Sequence, residues 1–112
     1  TKCNKCGKPQ YPPQRICAYC QSKDNFTPYR FSDKKGILFT YSWDSAGYAG
    51  TDVPPVGCSV INYDGGGRWW CQMTDSDPTD EFKLGMPMEM TFRKHYEVRG
   101  VPTYVWKSRP AR

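Results

Sequence analysis

The chain has 112 residues, which is enough for one small hydrophobic core and a short appendage. Apolar residues make up 38% and aromatic residues 15% of it, which excludes a disordered tail, while ten prolines and ten glycines leave little room for long helices. No apolar run approaches the roughly 20 residues that span a bilayer, and no signal-peptide pattern is found, so we expect a cytoplasmic protein with no membrane partner.

The first segment, residues 1–28, contains four cysteines in two C-x-x-C pairs, Cys3/Cys6 and Cys17/Cys20. Two sulfurs on one tight turn can bind the same ion, and Zn²⁺ prefers four tetrahedral ligands. The spacing therefore predicts a rubredoxin-like zinc ribbon. Gly7 suits the turn of the first knuckle. The second knuckle has no glycine in that place, which predicts a less regular turn.

Four cysteine ligands leave no open coordination position, so the predicted zinc is structural and not catalytic. Its binding energy would hold a segment that is too poor in apolar residues to fold alone. Two alternatives remain open: iron in the same site, with electron transfer as the function, and use of a C-x-x-C pair as a redox dithiol. Thiolate ligands also indicate a reducing compartment.

Composition divides the chain into a ribbon over residues 1–28, a connector over 29–35 and a barrel over 36–112 that ends in a basic tail. Residues 36–43 alternate with the period of a half-buried strand, with Ile37, Phe39, Tyr41 and Trp43 on one face. The next stretch, residues 45–55, is predicted to be a loop.

A second strand is predicted at 56–63 and a third at 68–74, joined by a two-residue turn at Asp64-Gly65. Asp-Gly favours such a turn because both positions need a positive φ. This turn sets the expected register on one apolar face, in which Val60 faces Trp69, Cys58 faces Cys71 and Val56 faces Met73.

Asp77-Pro78 and Gly85 are typical of the start and stop of a helix of one or two turns. A fourth strand at 87–94 is predicted to place Met88, Met90 and Phe92 inward, and a fifth at 102–107 carries Tyr104 and Trp106 on one side. Five strands with a helical turn after the third predict an OB-fold. The expected fold is thus mostly β, with the zinc ribbon followed by a five-stranded OB-fold barrel.

Three other features have both a functional and a structural interpretation. Cys58 and Cys71 are either a redox pair across the hairpin or small apolar core residues, and burial is the more common case for free cysteine. His95 is the only histidine and is interpreted as a surface or partner-contact residue, not as a general base. The acidic group of Asp75, Asp77, Asp80 and Glu81 is either a cation site or a solvated helix start.

Aromatic residues exceed what a barrel of this size can bury. They either line a partner surface or pack under the ribbon and tail. Aromatic rings on an OB barrel suggest single-stranded nucleic acid, but residues 41–91 have only Arg68 and Lys83 as cations, which opposes phosphate binding. Positive charge lies in the ribbon, connector and tail and suits a phosphorylated ligand or an acidic protein. The aromatic residues considered for a partner surface are Tyr41, Trp43, Tyr48, Trp70 and Trp106.

The ordered motifs resemble one known family. They are Cys-x-x-Cys-Gly-Lys-Pro-Gln-Tyr-Pro-Pro-Gln-Arg-x-Cys-x-x-Cys, Gly-Ile-Leu-Phe-Thr-Tyr-Ser from Gly36, Pro-Pro-Val-Gly-Cys-Ser-Val-Ile from Pro54, the glycine hairpin, and Leu-Gly-Met-Pro-Met-Glu-Met from Leu84. This pattern is similar to the zinc-ribbon/OB-fold family of acyl-CoA-associated proteins that partner thiolase-like enzymes. The ribbon with its Tyr-Pro-Pro run is the most specific part of the resemblance.

The resemblance implies a non-catalytic accessory subunit whose thiolase-superfamily partner carries out Claisen or retro-Claisen chemistry on acyl-CoA. Zn²⁺ would be bound by Cys3, Cys6, Cys17 and Cys20, and coenzyme A would be shared with the partner. Within the family the chain is most similar to small subunits of degradative thiolases and retro-aldolases, including those for aromatic acyl-CoA such as benzoylsuccinyl-CoA. Arg15 and Arg30 are hypothetical contacts for the coenzyme's phosphates, because guanidinium groups match phosphate geometry.

Overall fold

The computed structural model describes residues 1–46 and 54–112, and the predicted loop at 45–55, with Tyr48, falls largely outside them. Within these ranges the chain forms strands and turns and no helix. Accordingly, none of the described residues forms a helix that could cross a membrane. The strands are β1 (Lys2–Cys3), β2 (Phe26–Thr27), β3 (Lys35–Asp44), β4 (Val56–Tyr63), β5 (Arg68–Gln72), β6 (Pro87–Val98) and β7 (Val101–Pro110).

Strands β3 to β7 form one sheet in the order β5-β4-β3-β6-β7, with antiparallel neighbours throughout. A parallel bridge between Met73 and Ser108 brings the two edges together, so that the sheet becomes a nearly closed five-stranded barrel. This confirms the predicted OB-fold barrel. The barrel core consists of Leu38, Ile61, Tyr63, Cys71, Met73, Met88 and Met90.

The β4–β5 hairpin differs from the predicted register by one residue. Ser59 pairs with Cys71, Val60 with Trp70 and Ile61 with Trp69. The predicted two-residue turn is wrong because Tyr63 pairs with Gly67 through an N–H···O bond of 3.0 Å, which leaves three residues in the loop. A slip of one residue exchanges the two faces of a strand. The core therefore receives Ile61 and not Val60 from β4.

Strand β3 contains a bulge that breaks its alternation between Leu38 and Thr40. Before the bulge, Leu38 is buried whereas Ile37 and Phe39 are exposed. After it, Tyr41 and Trp43 contact Phe82, with ring centroids 5.2 and 5.9 Å apart. The predicted face of four apolar residues is thus divided between two sides of the strand.

Strand β6 is longer than predicted and only its first half lies in the barrel. Met88 and Met90 are buried, as predicted, but the prediction that Phe92 points into the core is wrong, since half of its surface is exposed. The strand continues to Val98, and β7 runs beside it from Val101. Phe92 therefore lies where the hairpin extends beyond the barrel.

The predicted helix after Asp77 is replaced by turns. The Asp77 carboxylate accepts a hydrogen bond from the Thr79 N–H at 2.7 Å, and the Asp80 carboxylate accepts one from the Asp77 N–H at 2.8 Å. These local bonds offer the backbone an alternative to a helix. The segment instead places Phe82 over Tyr41 and Trp43.

Candidate metal centre and adjoining surfaces

The four ribbon cysteines lie together, with all of their Sγ atoms within 4.8 Å of one another. Cys3 and Cys20 have sulfurs 3.6 Å apart, as do Cys6 and Cys17. Zn–S bonds of about 2.3 Å in a tetrahedron require sulfurs about 3.8 Å apart, whereas a disulfide requires about 2.05 Å. The donor set therefore fits a tetrahedral thiolate-bound ion.

The two knuckles have the same turn. The Gly7 N–H donates to the Cys3 carbonyl at 2.9 Å, and the Gln21 N–H donates to the Cys17 carbonyl at 3.0 Å. Gly7 has φ of 74° and Gln21 has φ of 63°. The prediction of a less regular second knuckle is thus wrong, because Gln21 adopts the left-handed conformation that glycine adopts in the first.

Backbone donors are directed at the buried sulfur of Cys17. The N–H groups of Tyr19 and Cys20 each lie 3.4 Å from it. Burial alone would raise the pKa of the Cys17 thiol, but these donors and the neighbouring thiols lower it to about 6. A thiolate is therefore favoured at this position near neutral pH, which is the form that binds a metal ion.

The pKa values of the Cys3 and Cys6 thiols are shifted in opposite directions. A backbone hydrogen bond involving Cys6 is the largest effect on Cys3 and lowers the pKa of its thiol. Cys6 receives a similar bond involving Lys8, but burial and the thiols of its neighbours raise its pKa to about 11. Four sulfurs this close cannot all ionise without a cation, and a divalent ion removes that conflict.

Arg15 and Arg30, the hypothetical phosphate contacts, both have local partners. The Arg15 guanidinium donates to the Asp24 carboxylate through two bonds of 3.1 Å, and its side chain is largely exposed. The Arg30 Nε donates to the Ser32 hydroxyl at 2.8 Å. A phosphate at Arg15 would have to compete with Asp24 or be bound beside it.

Ring contacts join the ribbon to the barrel. Tyr11 lies between Phe31 of the connector and Trp69 of β5, with centroids 5.9 and 5.3 Å away, and Phe31 packs on Tyr63 at 4.8 Å. A Cβ on Gly67 would lie 2.7 Å from the Phe31 ring. In the sequence, Gly65-Gly66-Gly67 is the signal for this junction. A two-residue turn does not require three glycines, and Gly67 leaves space for the Phe31 ring.

Cys58 and Cys71 are not brought together as a pair across the hairpin. Cys58 pairs with Gln72, whereas Cys71 pairs with Ser59 and lies 3.8 Å from its hydroxyl. Burial is the largest effect on both thiols and raises the pKa of each. Both are buried free thiols, as the structural interpretation expected.

Asp75 is the centre of a charge cluster that sequence patterns did not reveal. Its Oδ2 accepts hydrogen bonds from Arg93 at 2.9 Å, Arg109 at 3.1 Å and Arg112 at 3.3 Å. Arg109 also donates to Glu89 at 2.8 Å. The basic tail is therefore partly neutralised, and Asp75 binds arginines and not the cation considered from the sequence.

An apolar cleft of about 550 Å³ lies where β5 and β7 diverge. Trp69 and Trp70 form one wall, and Val105 and Trp106 form the other. Of the aromatics predicted to line a surface, Tyr41, Trp70 and Trp106 are exposed and Trp43 is partly buried. The side-chain oxygen of Gln72 is buried and has no hydrogen-bond partner among the described residues.

Comparison with known proteins identifies relatives of the ribbon and of the whole fold. Residues 1–26 match the family model of the ChsH2 rubredoxin-like zinc ribbon domain. A solved structure named "Ltp2-ChsH2(DUF35) aldolase" is similar with a TM-score of 0.72 and 19% sequence identity, over 97% of this chain and 80% of that chain. At this identity the likeness shows a shared fold, a zinc ribbon joined to a barrel.

Proposed function

We propose that the chain is a non-catalytic accessory subunit of an enzyme complex that acts on acyl-CoA. The observation that supports this most is the likeness of nearly the whole chain to a structure whose name joins two components, Ltp2 and ChsH2(DUF35), in an aldolase. The ribbon match to a ChsH2 domain supports the same proposal. The catalytic partner would be an enzyme of the thiolase superfamily.

In this proposal Zn²⁺ is bound by Cys3, Cys6, Cys17 and Cys20 and has a structural role. The ion supplies a tetrahedral crosslink when bound, and all four ligand positions belong to the protein. A structural zinc contributes directly to folding, with apparent binding free energies of about 10–16 kcal/mol in small zinc domains. Reduced thiols at this site fit a cytoplasmic protein.

Chemistry would then be left to the partner, which supplies the nucleophile for thiolysis or the general base for retro-aldol cleavage. The single histidine of this chain lies on β6, in the hairpin that extends beyond the barrel, and the buried thiols of Cys58 and Cys71 have raised pKa values. His95 and Cys71 line the same cleft, but burial raises the pKa of the Cys71 thiol and so disfavours the thiolate that a nucleophile requires. Aromatic acyl-CoA thioesters are the proposed substrates, on the resemblance alone.

The coenzyme's phosphates are proposed to contact Arg15 and Arg30, in a site completed by both subunits. Arg15→Glu and Arg30→Glu, each in the assembled complex, should weaken coenzyme A binding measured by calorimetry. Lys83→Glu, a charge reversal at an exposed residue of the barrel, is the control. Unchanged affinity in the first two variants would remove the assignment without affecting the rest of the proposal.

The accessory role itself is tested by purification from native cells. We expect the chain to co-purify with a thiolase-superfamily enzyme, to contain one zinc per chain, and to have no turnover of acyl-CoA alone. Turnover by the isolated chain would overturn the proposal. Iron in place of zinc, with a reversible redox couple, would favour an electron carrier instead.

A nucleic-acid module is the second candidate, favoured by the exposed rings of Tyr41, Trp70 and Trp106. It predicts affinity for single-stranded DNA or RNA that falls steeply with salt. Arg93, Arg109 and Arg112 of the tail are paired with Asp75 or Glu89, which opposes this candidate. Binding of a labelled oligonucleotide at two salt concentrations distinguishes the two.

A further inference from the structure

The β6–β7 hairpin extends well beyond the barrel. In the described residues β3 pairs with β6 only where Lys35–Ile37 meets Pro87–Glu89, and β7 meets β5 only at Ser108. Residues 92–106 therefore form a two-stranded arm that has no sheet neighbour on either side within residues 1–46 and 54–112. Such a hairpin is marginally stable in water unless one face is covered.

One face of this arm continues the lining of the barrel. Phe92 has the same strand parity as the core residues Met88 and Met90, and it pairs with Trp106, which shares the parity of buried Ser108. Beyond the barrel these positions meet solvent and not core.

Three rings on that face form what we call the aromatic strip, consisting of Phe92, Tyr104 and Trp106. The ring centroid of Phe92 is 5.8 Å from that of Tyr104 and 5.1 Å from that of Trp106. The rings are 50%, 51% and 37% exposed, respectively. Contiguous exposed apolar surface of this kind marks an interaction site.

The charges around the strip indicate which kind of partner fits. Lys94 and Glu97 share its face by register and form an ion pair with each other. Arg93 has the opposite parity and binds Asp75. The strip is therefore an electrically balanced surface, which complements an uncharged apolar protein patch and offers a polyanion no unpaired cation on that face among these residues.

The cleft between β5 and β7 adjoins the strip, because Trp106 belongs to both. A partner covering the strip would contact Trp106 on the side where the cleft opens. Val105 pairs with Arg93 and therefore belongs to the opposite face of the arm, outside the strip. Aromatic anchors beside a pocket are typical of the energetic centre of protein interfaces.

We infer that the aromatic strip is the surface on which the catalytic subunit docks through an uncharged apolar patch. This inference rests on the proposed function, and it goes beyond it by assigning the interface to the arm. It excludes the opposite face of the arm, where Tyr96 and Arg93 lie, from the interface centre.

The test is a matched pair of substitutions on the two faces of the arm. Tyr104→Asp places a charge on the strip, and Tyr96→Asp places the same charge on the opposite face. The affinity of each purified variant for the co-purifying thiolase-superfamily enzyme is measured by calorimetry. We expect Tyr104→Asp to weaken binding by about 30-fold or more, as for central aromatic anchors, and Tyr96→Asp to have little effect.

Zinc content and circular dichroism show whether each variant is folded, and Phe92→Asp provides a second test of the strip. If the complex forms with equal affinity in all variants, the inference is wrong and the accessory role stands. If no complex forms with the wild-type chain, the proposed function and the inference both fail. Loss of self-association, or of oligonucleotide binding, in Tyr104→Asp without an effect on the enzyme would also overturn the inference.

Discussion

Tyr11 of the ribbon loop lies against Trp69 of the barrel, with ring centroids 5.3 Å apart. The contact joins the segment that contains the four cysteines to strand β5 of the barrel. Because Trp69 is a natural fluorophore at this junction, its emission reports on whether the ribbon loop is in place. Four experiments follow from this and from neighbouring contacts.

Removal of the metal should change the environment of Trp69. Without its crosslink the ribbon is expected to loosen, so that Tyr11 no longer covers the indole, and the tryptophan emission should shift to longer wavelength when a chelator is added. The measurement is a fluorescence titration with metal analysis. In Trp69→Phe the shift should be much reduced, and a shift of undiminished size in that variant would contradict the assignment.

Gly67→Ala should destabilise the protein more than Gly65→Ala. Both glycines have positive φ, so both substitutions carry a backbone cost of about 1 kcal/mol. A Cβ on Gly67 also lies 2.7 Å from Phe31, whereas a Cβ on Gly65 meets nothing within 4 Å. Urea unfolding of both variants measures the difference, and equal midpoints would show that Phe31 can move away without cost.

Met88→Ala should cost about 2–5 kcal/mol of unfolding free energy, because Met88 is fully buried in the barrel core. Leu84→Ala is the control, since Leu84 is 68% exposed. Its substitution should change the unfolding free energy by about 0.5 kcal/mol or less. Equal losses in the two variants would contradict the assignment of Met88 to the core.

Asp75→Asn should make the stability of the protein less dependent on pH in the acidic range. Hydrogen bonds from Arg93, the largest effect, and from Arg109 hold the pKa of Asp75 below its usual value of 3.8. A carboxylate with a lowered pKa contributes stability above its unfolded-state pKa and loses it as pH falls through the folded-state value. The wild type should therefore lose stability more steeply than Asp75→Asn below about pH 4.

Asparagine suits this test because Asp75 has φ of 58°, a conformation that asparagine also tolerates. Thermal unfolding from pH 7 to pH 2 provides the measurement. The variant should already be less stable than the wild type at pH 7, and the gap should narrow on acidification. Curves that stay parallel would show that Asp75 contributes no linked proton.

The ribbon and the positions of the barrel strands along the chain could be predicted because their signals are local. Two C-x-x-C turns carry their own geometry, and the four sulfurs converge as their spacing indicated. Alternation of apolar residues likewise located the five barrel strands to within a few residues. The Asp-Gly signal located the hairpin but not its register, since Gly66 and Gly67 also have positive φ and made a longer loop possible.

What could not be predicted depends on residues that are distant in sequence. Phe92 has the pattern of a core residue. It lies outside the barrel because β3 begins at Lys35, which pairs with Glu89, and so does not extend beside Phe92. The sequence places Asp75 among acidic neighbours, yet its partners Arg93, Arg109 and Arg112 lie 18, 34 and 37 residues further along the chain. The apolar periodicity of one strand does not indicate how far the neighbouring strand extends.

The short contact between the edges of the sheet at β5 and β7 allows the barrel to open locally. The Met73–Ser108 bridge and the Thr74 N–H bond to the Ser108 carbonyl at 2.9 Å join these edges over a short stretch. Opening here breaks few backbone bonds while β3, β4 and β6 stay paired, so it is a low-energy local fluctuation. Amide hydrogens along this line are therefore expected to exchange faster than those in the centre of β4, and the interior of the barrel becomes accessible from one side without global unfolding.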